Sequence, residues 1–357
     1  MTTIDPHSHD KARWQGPGLA LLSAGLFGLS TPLAKILLGA VDPWMLAALL
    51  YLGCGIGIGL YRLARSTAAP AEAAMTGRDW LWFSGAIAAG GVIGPVCLLL
   101  GLMLTPGTTA SLLLNLEGVA TALLAWFLFR ENLDRRIATG MAAIVAGAML
   151  LSWAGSTEAT PLAGPLFIVA ACIAWGLDNN LTRKVSLSDP AQIAMWKGLI
   201  AGTVNLVLAL SQAAPLPAPA MAVAAGLVGF AGYGISIVLF VLALRQLGTA
   251  RTGAYFSTAP FIGAAVAVLM LGEPLTVQLA AAGMLMAFGV WLHLTENHAH
   301  EHGHEIEHSH RHRHDLHHQH EHEPGVDPRE PHIHWHSHKN LHHSHPHFPD
   351  AHHTHQH

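Results

Sequence analysis

Three groups of residues in this chain have the types and spacing to do chemistry. The first is a single carboxyl, Glu117, near the middle of the block Thr108–Leu133, TTASLLLNLEGVATALLAWFLFRENL. From Thr109 to Phe129 it is the sole ionisable side chain in an apolar run about as long as a helix needs to cross a bilayer. A charge at that depth costs at least roughly 2.5 kcal/mol on insertion scales, so the carboxyl should face a protein interior or a water-filled cavity. There it could exchange a proton or bind a cationic group; held as a hydrogen bonder, it could instead lock neighbouring helices together. Asn115 is a further candidate, although two residues away it belongs to a different helix face.

The second group is Trp175-Gly176-Leu177-Asp178-Asn179-Asn180. So many polar groups near one end of an apolar run either line a cavity or mark a helix end at the lipid headgroups. Asp178 and Thr182, four apart, share a helix face. Tyr233 and Tyr255 could hydrogen-bond a substrate or tether helices, while Lys197 beside Trp196 suggests a snorkelling interfacial pair.

The third group is the tail from His298 to His357, which holds 24 of the 27 histidines. The candidate metal ligands are His298, His300, His302 and His304, then His308, His310, His312 and His314, then His332, His334, His336 and His338. Neutral imidazole suits Ni, Zn, Co and Cu, and the dispersed spacing predicts several labile sites rather than one rigid one. Low hydrophobicity and several prolines predict that this tail stays disordered. With 4 Lys/Arg against 9 Asp/Glu it has no basic excess suited to nucleic acid. HEIEH at 304–308 matches the zinc-protease pattern, but that pattern needs an ordered helix, and His/Glu-rich sequence produces it by chance.

The elements that must position these groups follow from composition. The chain has 357 residues, 52% hydrophobic and 11% charged, and its most polar stretch is the tail. Residues 1–297 therefore lack the polar surface of a soluble domain, and their helices must use lipid as solvent. The apolar runs do not alternate with period two, which excludes a membrane barrel. Cys54, Cys97 and Cys172 lie inside such runs without CxxC spacing and read as small apolar packers. The N-terminus opens polar and is followed by an apolar run too long for a cleavable signal, so that run is expected to remain as the first span.

Ten apolar runs, at about 18–38, 43–61, 80–103, 107–129, 137–154, 163–182, 191–210, 221–244, 252–271 and 277–294, predict ten spans. Under this count nearly every Lys and Arg before the tail falls on one side, with Lys35 alone opposite, which places both termini in the cytoplasm. A shift of 142 residues lays Glu131-Asn132-Leu133 on Glu273-Pro274-Leu275, Ala125 on Ala267 and Gly147 on Gly289. A shift of 148 lays Gly28 on Gly176 and Lys35 on Arg183. Five spans per half is odd, so the halves would insert with opposite orientation and hold a substrate site between them near the midplane.

Trp175-Gly176, the block around Glu117 and its counterpart FSTAPFIGAAVAVLMLGEPL at 256–275 resemble the EamA-type transporters of the drug/metabolite transporter superfamily. The resemblance covers about residues 17–295 and implies a ten-helix carrier of two five-span modules, usually an exporter of small metabolites. Two positions depart from the family pattern: Gly118 replaces the frequent proline after the mid-helix Glu, and the second half has Ala259 in the Glu position before Pro260. If Glu117 carries coupling chemistry, only one half supplies it.

The expectation is an all-α polytopic membrane protein: ten transmembrane helices in two inverted five-helix repeats, plus the disordered tail. Its parts are a cytoplasmic segment 1–16, repeats at 17–155 and 156–295, and the His-rich tail 296–357. It should be a secondary-active exporter of a small metabolite in the bacterial inner membrane, requiring no cofactor. No GxxxxGK[ST] is present, so the energy should come from a gradient, and no catalytic dyad or nucleophile elbow suggests an enzyme. The expected partners are lipid, a small-molecule substrate and transition-metal ions; a homodimer is compatible. Two alternatives stand beside this: an efflux carrier for Ni, Co or Zn (or one regulated by them), and a non-transporting membrane-anchored metal buffer or sensor. Against a dedicated metal path, the spans contain a single imidazole, His293.

Overall fold

The computed structural model describes residues 6–64, 77–129, 135–152, 162–185 and 189–294, and four short strands in the tail. His298, His304, His314, His338 and the Glu131-Asn132-Leu133 segment lie outside the described residues.

Among the described residues the membrane part consists of helices joined by turns and short links. Its elements are α1 (Pro6–Leu37), α2 (Pro43–Ala64), α3 (Gly77–Ala86), α4 (Gly94–Leu104), α5 (Gly107–Leu113), α6 (Leu116–Phe129) and α7 (Arg135–Ser152). After these come α8 (Ala163–Val185), α9 (Pro190–Ser211), α10 (Pro219–Gly229), α11 (Ser236–Phe256), α12 (Ala259–Leu271) and α13 (Val277–Leu294). Among the described residues seven helical segments are long and apolar enough to cross a membrane, and Ala259–Leu271 and Val277–Leu292 are shorter apolar helices. Large side chains such as Leu63, Phe127, Leu269 and Val277 stand exposed on the outside, as lipid requires. The interior combines large side chains such as Tyr51, Phe83 and Leu98 with glycines at the closest helix contacts. Gly53 meets Gly226, and Gly55 meets Gly198, so α2 packs against α10 and α9 at backbone contact.

Two interruptions recur in both halves. A π-helical turn, Ile87–Ile93, joins α3 to α4, and another, Phe230–Ile235, joins α10 to α11. Their starts are 143 residues apart (230 − 87), close to the 142-residue sequence shift. The turn at Leu114–Asn115 between α5 and α6 has its counterpart at Ser257–Thr258 between α11 and α12, again 143 apart (257 − 114). Matching irregularities carry the internal repetition further than the few sequence identities do.

Two expectations change. The run at 107–129 is two helices rather than one, which puts Glu117 in the first turn of α6, the end at which the helix dipole favours negative charge. Lys197 is not at the lipid interface: it is 5% exposed and paired with Asp178. Among the described residues of the tail, β1 (Ala299–His302) pairs antiparallel with β4 (His343–Pro346), and β2 (Glu307–His312) with β3 (His332–Ser337). The His-X-His-X alternation is itself the period of a strand. Glu307 and His308 of HEIEH belong to β2, not to a helix.

Candidate functional site

The candidate site is built around α8. From Trp175 to Thr182 this helix is buried on the faces that meet α3, α6 and the first π-helical turn. Gly176 allows that approach, because a Cβ there would lie 2.9 Å from the backbone of Ala120 and Thr121 on α6. Gly90 does the same on the other side: its Cβ would fall 1.9 Å from Asp178 Oδ2. The carboxylate of Asp178 occupies the space left by that missing side chain.

Asp178 and Lys197 form an ion pair with both side chains only 7% exposed. Thr182 Oγ1 donates to the other Asp178 oxygen at 2.9 Å, as their shared face allows. Glu117 accepts from Asn179 Nδ2 at 2.9 Å, and Asn179 also reaches Thr121 Oγ1 at 3.2 Å. Thr121 Oγ1 in turn donates to the Glu117 carbonyl at 2.8 Å. Asn180 is spent on helix packing, donating to the carbonyls of Gly176 at 2.8 Å and Thr121 at 3.1 Å.

The π-helical turn contributes a freed carbonyl. Gly90 O accepts from Tyr51 Oη at 2.6 Å and from Trp175 Nε1 at 3.0 Å. Gly91 O next to it accepts from Asn205 at 2.9 Å. Such turns release main-chain acceptors from the regular ladder, and here they do so at the centre of the bundle.

These groups border a cavity of about 610 Å³, counting its open mouth. Glu117, Asp178, Asn179 and Lys197 supply its polar wall. Phe27, Tyr51, Trp175, Tyr233, Phe240 and Phe256 supply the apolar one. The aromatics form a continuous set: Phe27 meets Trp175 edge-on at 5.8 Å, Tyr233 at 5.9 Å and Phe256 at 5.3 Å, and Tyr51 meets Tyr233 at 5.2 Å. An apolar body with one polar end fits this division.

Of the residues singled out by sequence, Glu117, Trp175, Asp178, Asn179 and Tyr233 come together at the cavity. Asn115 does not: it is buried behind the site, donating to Leu112 O at 2.9 Å and contacting Met286 Sδ at 3.8 Å. Tyr255 and Asn180 are absent from the lining too. Sequence reasoning missed Lys197, Tyr51, Phe27, Phe240 and Phe256. A lysine within an apolar span was a usable signal for the first; the others carry none. Among the described residues no group of three or more His, Cys, Asp or Glu is placed to hold a metal ion.

At one rim of the bundle, charges clamp the link between α4 and α5. Glu273 accepts from the backbone N–H of Gly107 at 2.6 Å and of Thr108 at 2.7 Å. Lys35 donates to the carbonyls of Leu102 and, at 2.9 Å, Thr105. Each charge meets the helix end that its sign favours.

The model of the EamA-like transporter family matches residues 14–153 and again 162–295. The chain belongs to that family. As an EamA-like transporter it is similar, at 29% identity over 77% of its length and 84% of the relative's, to an uncharacterized transporter of Methanothermobacter thermautotrophicus. It is 27% identical over 200 residues, 51% of the chain and 66% of the relative, to a probable amino-acid metabolite efflux pump of Salmonella typhimurium. A solved crystal structure superposes with a TM-score of 0.58 at 20% identity, covering 79% of this chain and 96% of that one, a likeness of fold. This EamA-like protein is an integral membrane transporter, and the two matched segments divide the cavity between them: Glu117 and Tyr51 come from the first, Asp178, Lys197 and Phe256 from the second.

Proposed function

We propose that this transporter is a secondary-active exporter that carries a small organic metabolite by alternating access between two halves of opposite orientation. The observation that supports it is the cavity between the two halves, where a carboxylate, a buried ion pair and an aromatic wall face one another. Sites at a repeat interface are reached from either side by rocking one half against the other. Basic-residue placement supports a bacterial inner-membrane location with both termini in the cytoplasm. Purified protein in proteoliposomes, given a proton gradient and a panel of small metabolites, should show gradient-driven flux that depends on the cavity. Flux of nothing in such a panel, from protein shown to be folded and inserted, would refute the carrier role.

The tail supports a second role, binding of Ni, Zn, Co or Cu at the cytoplasmic mouth. The specific observation is register: His308 pairs with His336, His310 with His334 and His312 with His332. Directly opposed residues of an antiparallel pair are near neighbours, so each rung brings two histidine positions together. Comparing flux and metal tolerance with and without residues 298–357 separates a metabolite carrier with a metal-binding tail from a metal-efflux carrier and from a membrane-anchored metal buffer.

A further inference from the structure

The cavity stops well short of one face of the bundle. The clamp of Lys35 and Glu273 marks that face, and Gly164 at the start of α8 packs there, its Cβ position 2.2 Å from Thr105 Oγ1. The α8 residues that line the cavity, Trp175, Asp178, Asn179 and Thr182, begin 11 residues further on (175 − 164), roughly 16 Å along the helix. Between the clamp and the aromatic wall, α1 and α5 of the first half close on α12 of the second with only small side chains between them. A Cβ on Gly28 would lie 2.4 Å from Ala259 O, and one on Gly263 would lie 2.9 Å from both Gly28 O and Ser111 Oγ. One on Gly107 would lie 3.4 Å from Ala267 Cβ. At one end of this seam Phe27 and Phe256 belong to the cavity; at the other, Glu273 reaches across from the second half to hold Gly107 and Thr108 of the first. The seam also carries hydroxyls that dry packing leaves unserved. Ser111 Oγ is fully buried without a hydrogen-bond partner, and Thr105 Oγ1, in the clamped link, is 4% exposed and likewise unpartnered. Native interiors satisfy nearly all such groups, so hydroxyls kept at a boundary between halves point to a second conformation in which water reaches them.

We propose that the seam between α5 and α12 is the closed half of the transport path, lined by Ser111 when it opens, and that Glu273 is the latch at its mouth. This rests on the carrier reading and adds the residues that seal the far side of the same cavity. Glu273 is suited to the task. Its carboxylate takes both bonds from main-chain N–H groups, at 2.6 and 2.7 Å, and is itself only half-buried, so on release it turns to water and leaves no charge stranded in the interior. Lys35 holds the same link from within the first half, through the carbonyls of Leu102 and Thr105, and keeps α5 in place when Glu273 lets go. Opening hydrates Ser111 and removes the penalty of its unmet hydroxyl, which offsets part of the cost of parting the helices.

Thiol labelling of the full chain tests this without a known substrate. Ser111→Cys reports on the seam, native Cys54, buried where α2 meets α9, reports on general loosening, and Ala40→Cys, on the exposed link after α1, marks the clamped face. In right-side-out and inverted vesicles, a charged, membrane-impermeant methanethiosulfonate should modify Ser111→Cys only from the face at which it modifies Ala40→Cys, with adducts assigned by mass spectrometry. Adding Glu273→Gln should raise that rate about fivefold, as loss of the charged acceptor shifts the open population, and should leave Cys54 unreactive. Glu273→Asp, one methylene shorter, should give an intermediate rate and serves if Glu273→Gln folds poorly. Modification of Ser111→Cys from the opposite face, a rate indifferent to both changes at Glu273, or Cys54 reacting in step with Ser111→Cys would overturn the proposal. Those outcomes leave the carrier reading intact. Absence of flux from protein that labels as described would instead refute the carrier reading alone.

Discussion

Replacing Lys197 by methionine tests whether the centre of this bundle is held by charge. Methionine keeps most of the length and the apolar stem while removing the ammonium. Asp178 would then keep the hydroxyl of Thr182 at 2.9 Å but lose its counter-ion at a position 7% exposed. Removing one partner of a buried ion pair costs about 3–5 kcal/mol. The surviving Thr182 bond argues for the lower end, about 3 kcal/mol, or roughly a hundredfold in the unfolding equilibrium. Reversible unfolding in mixed micelles, followed by tryptophan fluorescence, would measure this. The companion variant Lys197→Met/Asp178→Leu removes both charges and should recover most of the loss, because an apolar replacement of the whole pair is often neutral. Transport should be impaired in both, so stability and function would separate in the double variant. If Lys197→Met alone unfolds within about 0.5 kcal/mol of wild type, an effect of the size that surface substitutions have, the pair is not a buried charge contact and the reasoning fails.

Gly90→Ala should destabilise by about 1–3 kcal/mol through overpacking against Asp178 and reduce transport, while Gly18→Ala, with nothing within 4 Å, should be neutral or slightly stabilising in the same unfolding assay. Glu273→Gln should weaken the clamp on Gly107 and Thr108 by about 1 kcal/mol, read as faster amide exchange at the start of α5 with folding otherwise intact. The tail should bind several Ni²⁺ or Zn²⁺ ions per chain near pH 7.5 and release them as pH falls through about 6.5, where protons compete for free imidazole. An isolated 298–357 peptide that takes up no metal in calorimetry at the higher pH would remove that role.

How much of this was legible depended on contrast. Glu117 and the Trp175–Asn180 cluster stood out because polar groups are rare in apolar runs, and the structure brings Glu117, Trp175, Asp178 and Asn179 to one cavity. Lys197 stood out equally but was misread, because a lysine beside a tryptophan near a span end fits an interface locally, and only the folded chain brings it to Asp178 on α8. Phe27, Phe240 and Phe256 were invisible, since an aromatic lining a cavity and one facing lipid are identical in sequence. Glu273 was legible as a marker of the repeat, yet its hydrogen bonds join residues 165 and 166 positions apart and leave no local trace. The π-helical turns have only their glycines as a signal, and glycine is common throughout the spans.

The carbonyl of Gly90 has a consequence for how this protein would look under mutation. It takes one bond from Tyr51 in the first half and one from Trp175 in the second. A main-chain oxygen cannot be deleted by changing a side chain, and each donor insures the other. Tyr51→Phe leaves the indole in place, and Trp175→Phe leaves the phenol. Single-residue scanning would therefore rank both donors as tolerant, and the acceptor would never be sampled. Only the double variant would orphan the buried oxygen, with a loss larger than the sum of the two single losses. The joint at this carbonyl is thus one that single conservative substitutions would overlook.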